Sequence, residues 1–215
     1  MNFKEEITMI PNSLPTLSAG PHEPGSGKAC VMEYVSLLAG ESWSDTPQCT
    51  YHPLARAAQI VNDYLDDSHR NLLVPLIGRL FGTTLQIDDR RFALQVARTV
   101  EHLHPAARAC NDVTEAFLDG NASVNDLRVA RAAAADAYTH DAATAAAAAA
   151  RAASTMTTTY AVISAAHAVS GNDASDEVVV SWLNKVIDIY DKLSGRINYT
   201  TLTNTELSLL ATKVN

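Results

Sequence analysis

The sequence predicts an all-α protein: a multi-helix bundle with long alanine-rich C-terminal helices and an irregular N-terminal arm. Three observations carry that expectation. Apolar residues recur at helical spacing through most of residues 28–195. Asp, Ser, Pro and Gly punctuate those runs where helix ends need them. No strand-like alternation longer than about five residues appears anywhere.

The elements follow in order. Residues 1–27 hold Pro11, Pro15, Pro21, Pro24, Gly20, Gly25 and Gly27, so they read as an irregular arm with one short extended piece at 7–10. A first helix runs over 28–39 on Val31, Tyr34, Val35 and Leu38, with Gly40 at the left-handed position beyond its end. The turn-forming residues 41–51 are a loop. Pro53 suits the first turn of a second helix, striped by Leu54, Ala57, Val61, Tyr64 and Leu65. Asp66, Asp67 and Ser68 offer caps for a third over 70–81, which Pro75 should kink or divide.

Asp88 or Asp89 caps a fourth helix with Phe92, Val96, Val100 and Leu103 inward. Pro105 opens a fifth, with Ala109, Val113, Ala116 and Phe117 inward and Gly120 as its stop. Ser123 with Asp126 resembles a capping box and opens the alanine-rich region, about 125–169, as one helix or as two broken near 139–141. Ser175 caps a strong helix carrying Val179, Trp182, Leu183, Val186, Ile189, Tyr190 and Leu193, closed by Gly195. Thr203 with Glu206 marks a short last helix, 204–211. The organisation expected is an arm at 1–27, a bundle at 28–120, an alanine-rich region at 121–195 packing on that bundle or on another copy, and a tail at 196–215.

Composition bounds the function. Of 215 residues 47% are hydrophobic and 19% charged, enough apolar content to build a core. A net charge of −8 opposes a general affinity for nucleic acid or anionic membranes. Cys30, Cys49 and Cys110 are odd in number and widely spaced, so no disulfide framework is expected and a reducing cytoplasm is the default. Neither a secretory signal nor a run of roughly 20 apolar residues is present.

Ala29-Cys30-Val31-Met32-Glu33, Leu38-Ala39-Gly40-Glu41, Trp43-Ser44-Asp45, Pro47 and Cys49 form a signature, continued by Asn62-Asp63, Pro75-Leu76-Ile77, Arg79-Leu80-Phe81-Gly82-Thr83 and Arg90-Arg91. It resembles a family of proteins from actinobacteria and their bacteriophages, by motif over about 29–108 and by composition over 109–195. The resemblance implies a phage or actinobacterial setting. It carries over no catalytic residue.

Several constellations can bear chemistry. Cys49 and His52 have half of a zinc-type spacing, which Cys30 or Glu33 would have to complete. Against this, Cys30 reads as a small core residue and His52 as a cap beside Pro53. Glu33, Glu41 and Asp45 can serve acid–base work, or hold the loop by accepting backbone N–H bonds or by pairing with Arg79 or Arg90. Arg91 and Arg98 share a helical face near Arg90; that face meets phosphate or pairs with Asp88, Asp89 and Glu101. Alanines such as Ala146 and Ala150 form a small-residue surface, and Trp182, Val186 and Tyr190 a bulky one, together a face for self-association. No Gly-rich phosphate loop, G-x-S-x-G, HExxH or EF-hand pattern occurs, and no cofactor is called for.

The reading is a non-catalytic interaction protein that binds a protein partner and associates with itself. A small metal-dependent or hydrolytic enzyme using Glu33, Glu41, Asp45, Cys49 and His52 is the second reading. A DNA-associated regulator using Arg90, Arg91 and Arg98 is the third.

Overall fold

Residues 15–136, 141–155, 158–171 and 173–196 are described by a computed structural model. The extended piece expected at 7–10 and the last helix at 204–211 lie outside them. Among the described residues the helices are α1 (Val31–Leu38), α2 (His52–Tyr64), α3 (Val74–Leu80), α4 (Asp89–Arg98), α5 (Pro105–Leu118), α6 (Val124–Ala135), α7 (Asp141–Thr155), α8 (Thr159–Ser170) and α9 (Asp176–Ser194). The all-α expectation holds. None of these helices is long and apolar enough to cross a membrane.

The arm departs from its expected irregularity at one point. Strand β1 (Thr16–Leu17) pairs in parallel with β2 (Lys28–Ala29), in the register Thr16 to Lys28 and Leu17 to Ala29. Residues 28 and 29 are therefore extended, and α1 starts at Val31 rather than at 28. Cys30 becomes its N-cap. The Cys30 Sγ accepts from the Glu33 N–H at 3.4 Å, while the Glu33 carboxylate accepts from the Cys30 N–H at 2.7 Å. This is a capping box with sulfur in place of a hydroxyl. At the other end Gly40, at φ +67°, lets Glu41 N–H reach Ser36 O and Gly40 N–H reach Leu37 O, which satisfies two orphan carbonyls.

Pro75 divides the third helix as expected. A 3-10 turn, Arg70–Leu73, runs into α3, and the proline sits in the first turn of α3, where its missing N–H costs nothing. Asp88 is the cap of α4, accepting from the N–H groups of Arg90 and Arg91. Two expectations need correction here. Helix α4 ends at Arg98, so Leu103 falls in a following 3-10 turn and is 37% exposed. In α5 the buried face is Ala107, Cys110, Asn111 and Thr114, and Ala109 faces solvent. Polar residues on that face find local partners: the Thr114 hydroxyl donates to Cys110 O at 2.8 Å and the Asn111 amide to Glu101 at 3.0 Å. Hydrophobic periodicity reads such a face one residue out.

The alanine-rich region is three helices, not one or two. Helix α6 ends at Ala135 with Asp136 as its cap, a few residues before the expected break, and Thr158 stands at the N-cap position of α8, outside α7. Helix α7 is the centre of the molecule, packed against α4, α5, α6 and α8. Ala145, Ala146, Ala149 and Ala150 are wholly buried, and the Cys110 thiol reaches the carbonyl of Ala146 at 3.6 Å. Such approach of neighbouring elements to a helix backbone requires methyl-sized side chains. One apolar cluster joins Leu54, Phe92, Ala146 and Leu183, so the core runs across residue 120.

Helix α9 closes the other side. Val179, Trp182, Leu183, Val186 and Tyr190 point inward as expected, with Ile187 rather than Ile189 completing the face. The Tyr51 ring lies 5.3 Å from both Phe92 and Tyr190, tying α4 and α9 to the start of α2. Asp191, 3% exposed, accepts from Arg79 at 2.7 Å and from Arg196 at 2.6 Å, clamping α9 to α3.

Candidate functional site

The signature residues around Cys30 converge on a fastening, not on a cleft. Glu33, 2% exposed, accepts from the backbone N–H of His22 at 2.6 Å and lies 3.1 Å from its Nδ1, besides holding Cys30. Trp43 Nε1 donates to His22 O at 2.7 Å, and Tyr34 Oη donates to Pro15 O at 2.7 Å. Asn62 donates to Ser18 O and accepts from Val31 N–H, and Asp63 accepts from Gly20 N–H. Residues 15–30 are thereby pinned across α1 and α2.

Of the other two proposed acid–base groups, the Glu41 carboxylate is held the same way, and Asp45 is tied through its backbone. Glu41 accepts from Gln48 N–H at 2.7 Å, and Asp45 offers its main-chain carbonyl to Gln59 at 2.6 Å. Their alternative partner Arg79 turns instead to Asp188 and Asp191 on α9.

Cys30, Cys49 and His52 are not brought together. Burial pushes the Cys30 thiol up to about 12, and Cys49 is also raised, chiefly by burial. A thiol whose pKa is raised by burial is a poor nucleophile at neutral pH. His52 is exposed at the first position of α2. Among the described residues, the three potential ligand groups that do meet are Asp66, His69 and Asp176, with His69 Nδ1 2.7 Å from Asp176. All three are solvent-accessible, and Asp176 comes from the start of α9.

Arg90, Arg91 and Arg98 take the salt-bridge alternative. Arg90 lies 3.5 Å from Asp88, and Arg91 binds Asp119 at 2.8 Å. Arg98 reaches Glu101, Asp112 and Glu115 at 2.9, 3.1 and 2.7 Å, joining α4 to α5.

The expected self-association face is corrected. Ala146, Ala150, Val186 and Tyr190 are fully buried within one chain and Trp182 is 6% exposed, so none of them forms an outward face. The reason is the central place of α7, whose small surface is covered by α4, α5, α6 and α8 of the same chain.

A different surface stands open. Helices α6 and α7 splay over a groove of about 890 Å³. Its α6 wall is Arg128, Arg131, Ala132 and Ala135, and its α7 wall is Thr144, Ala147, Ala148 and Arg151. Both sets have the i, i+3, i+4, i+7 spacing of a single helix face. Tyr160, 58% exposed, stands at the α8 side. The floor is methyl groups and the rim is guanidinium. Helix α6 itself buries only Leu127 and Ala134, so most of its surface is turned outward.

Among the described residues Arg128 and Arg131 differ from most of the other arginines; Arg56 also has no carboxylate within 4.0 Å and donates instead to Gln59, but it does not line the groove. Arg70, Arg79, Arg90, Arg91, Arg98, Arg108 and Arg196 each have a carboxylate within 4.0 Å. Among the described residues Arg128 and Arg131 have none; Arg128 donates to Asn125 at 3.1 Å. Sequence reasoning passed over both. Their spacing with Ala132 and Ala135 is visible in the sequence, but alanine was read there as packing surface alone. A smaller hollow of about 310 Å³ lies between Leu103, Val178 and Trp182, with His102 and Lys185 beside it.

The chain matches no protein-family model, no curated protein and no solved structure.

Proposed function

We propose that the protein is a non-catalytic binding protein that engages an anionic region of a protein partner in the α6–α7 groove, in the actinobacterial or phage setting its motif resemblance implies. The observation that carries this reading is the pair Arg128 and Arg131. In a chain of net charge −8 these guanidiniums face a groove and have no carboxylate within 4.0 Å among the described residues. A guanidinium in such a position presents a fork of donors to carboxylate or phosphate. The signature residues support the same reading from the other side, because Cys30, Glu33 and Glu41 are occupied in holding the chain.

The test is fluorescence anisotropy with a labelled glutamate-rich peptide, and a lysine-rich peptide as control. Binding of the acidic peptide, weakened by salt and by Arg128→Ala with Arg131→Ala, is the expected result. An acidic peptide that fails to bind at low salt, or binds the double variant equally well, contradicts the reading.

A further inference from the structure

We propose that the occupant of the α6–α7 groove is an acidic amphipathic helix of the partner, lying between the two helices as an added member of the bundle; this rests on the binding function proposed above. Three features argue for a helix. First, the walls are two helix faces with matching spacing, Arg128–Arg131–Ala132–Ala135 and Thr144–Ala147–Ala148–Arg151. Ridges on a third helix can lie between such rows, and alanine on both walls permits the closest interaxial approach.

Second, the size fits. A helix roughly 10 Å across, rising 1.5 Å per residue, fills roughly 120 Å³ per residue, so a groove of about 890 Å³ receives about two turns. A small anion would meet the guanidiniums and leave the alanine floor wet. Third, the chemistry is divided. Ala132, Ala135, Ala147 and Ala148 ask for an apolar stripe, while Arg128 and Arg131 ask for carboxylates along its flank. Only a segment with both faces in register satisfies the two demands together, which is the helix-in-groove mode of recognition.

The experiment uses the full chain and three labelled probes. One is a peptide of about four helical turns with Glu on one flank and Leu on the other. The second has the same composition in scrambled order, and the third is inorganic polyphosphate. The amphipathic peptide is expected to bind at least tenfold tighter than the scramble and to gain helical circular dichroism on binding. Ala132→Phe, at an exposed position on the groove wall, should weaken that peptide about tenfold and leave polyphosphate binding unchanged.

Equal binding of the two peptides overturns the helix inference while leaving the anionic-partner reading in place. Binding of polyphosphate alone, or of no probe, overturns both. A homodimer seen by sedimentation and dissolved by Arg131→Glu makes the occupant a second copy, and overturns the inference as stated.

Discussion

The end of the molecule built from residues 15–63 and the face built from α6 and α7 use polar side chains in opposite ways. At the first, Glu33, Trp43, Asn62 and Asp63 each hold a backbone group of residues 18–31. At the second, Arg128, Arg131 and Tyr160 look into an open groove. Residue types that attract functional interest in a sequence are thus consumed by the fold at one end. Ordinary arginines on an alanine helix remain available at the other. The difference teaches that a site is marked by what the fold leaves uncommitted, more than by which residue types are present.

The largest effect should come from charging the packed side of α7. Ala146 is fully buried against α5, so Ala146→Glu should cost ~5 kcal/mol or more and yield no cooperatively folded protein, read by thermal melting. Glutamate at the exposed Ala132 should leave the melting curve nearly unchanged. Equal effects of the two substitutions would break the distinction between a packed and an open alanine surface.

Next in size are two buried carboxylates, one of them the clamp on α9. Asp191→Ala leaves Arg79 with Asp188 alone and takes from Arg196 its carboxylate, in a largely buried setting, and should cost about 2–3 kcal/mol, measured by urea unfolding. Glu33→Ala leaves the N–H groups of Cys30 and His22 without their acceptor. A loss of about 2–4 kcal/mol is expected, with faster proteolysis within residues 15–30.

The thiols give a pH test of the same packing. Burial raises Cys30 from 9.0 to about 12 and Cys110 from 9.0 to about 11. A thiol raised in the folded state favours folding below its unfolded value, and that contribution is lost as pH climbs through the folded one. Stability should therefore fall as pH rises past 9.0, and native Cys30 and Cys110 should resist alkylation at pH 8 while Cys49, partly exposed, reacts first. Rapid alkylation of all three would contradict the burial.

Much of the fold was legible in the sequence, for identifiable reasons. Asp88, Pro105, Ser123 and Gly195 fixed helix ends through local geometry, and Pro75 set α3 apart from the 3-10 turn before it because a proline cannot donate. What escaped was decided by partners distant in sequence. Lys28 and Ala29 are extended because they meet Thr16 and Leu17, and no local propensity encodes that meeting. The face of α5 was misread because Cys110 sits against α7, where small size outweighs hydrophobicity, and Thr114 is buried with its hydroxyl turned back on Cys110 O. The alanine stripe was legible as a close contact, but not that α7 lies amid four helices of its own chain. The candidate groove escaped for the converse reason. Nothing within residues 124–151 says which arginines lack a carboxylate until every other arginine has been placed.

The central claim is that the uncommitted arginines, not the paired ones, confer binding. Titration of a labelled glutamate-rich peptide against three proteins tests it most directly: the unmodified chain, Arg128→Ala with Arg131→Ala, and Arg90→Ala with Arg91→Ala. The account predicts at least tenfold weaker binding for the first variant and unchanged binding for the second, whose arginines already serve Asp88 and Asp119. Equal losses in both variants, or a loss confined to the second, would contradict it.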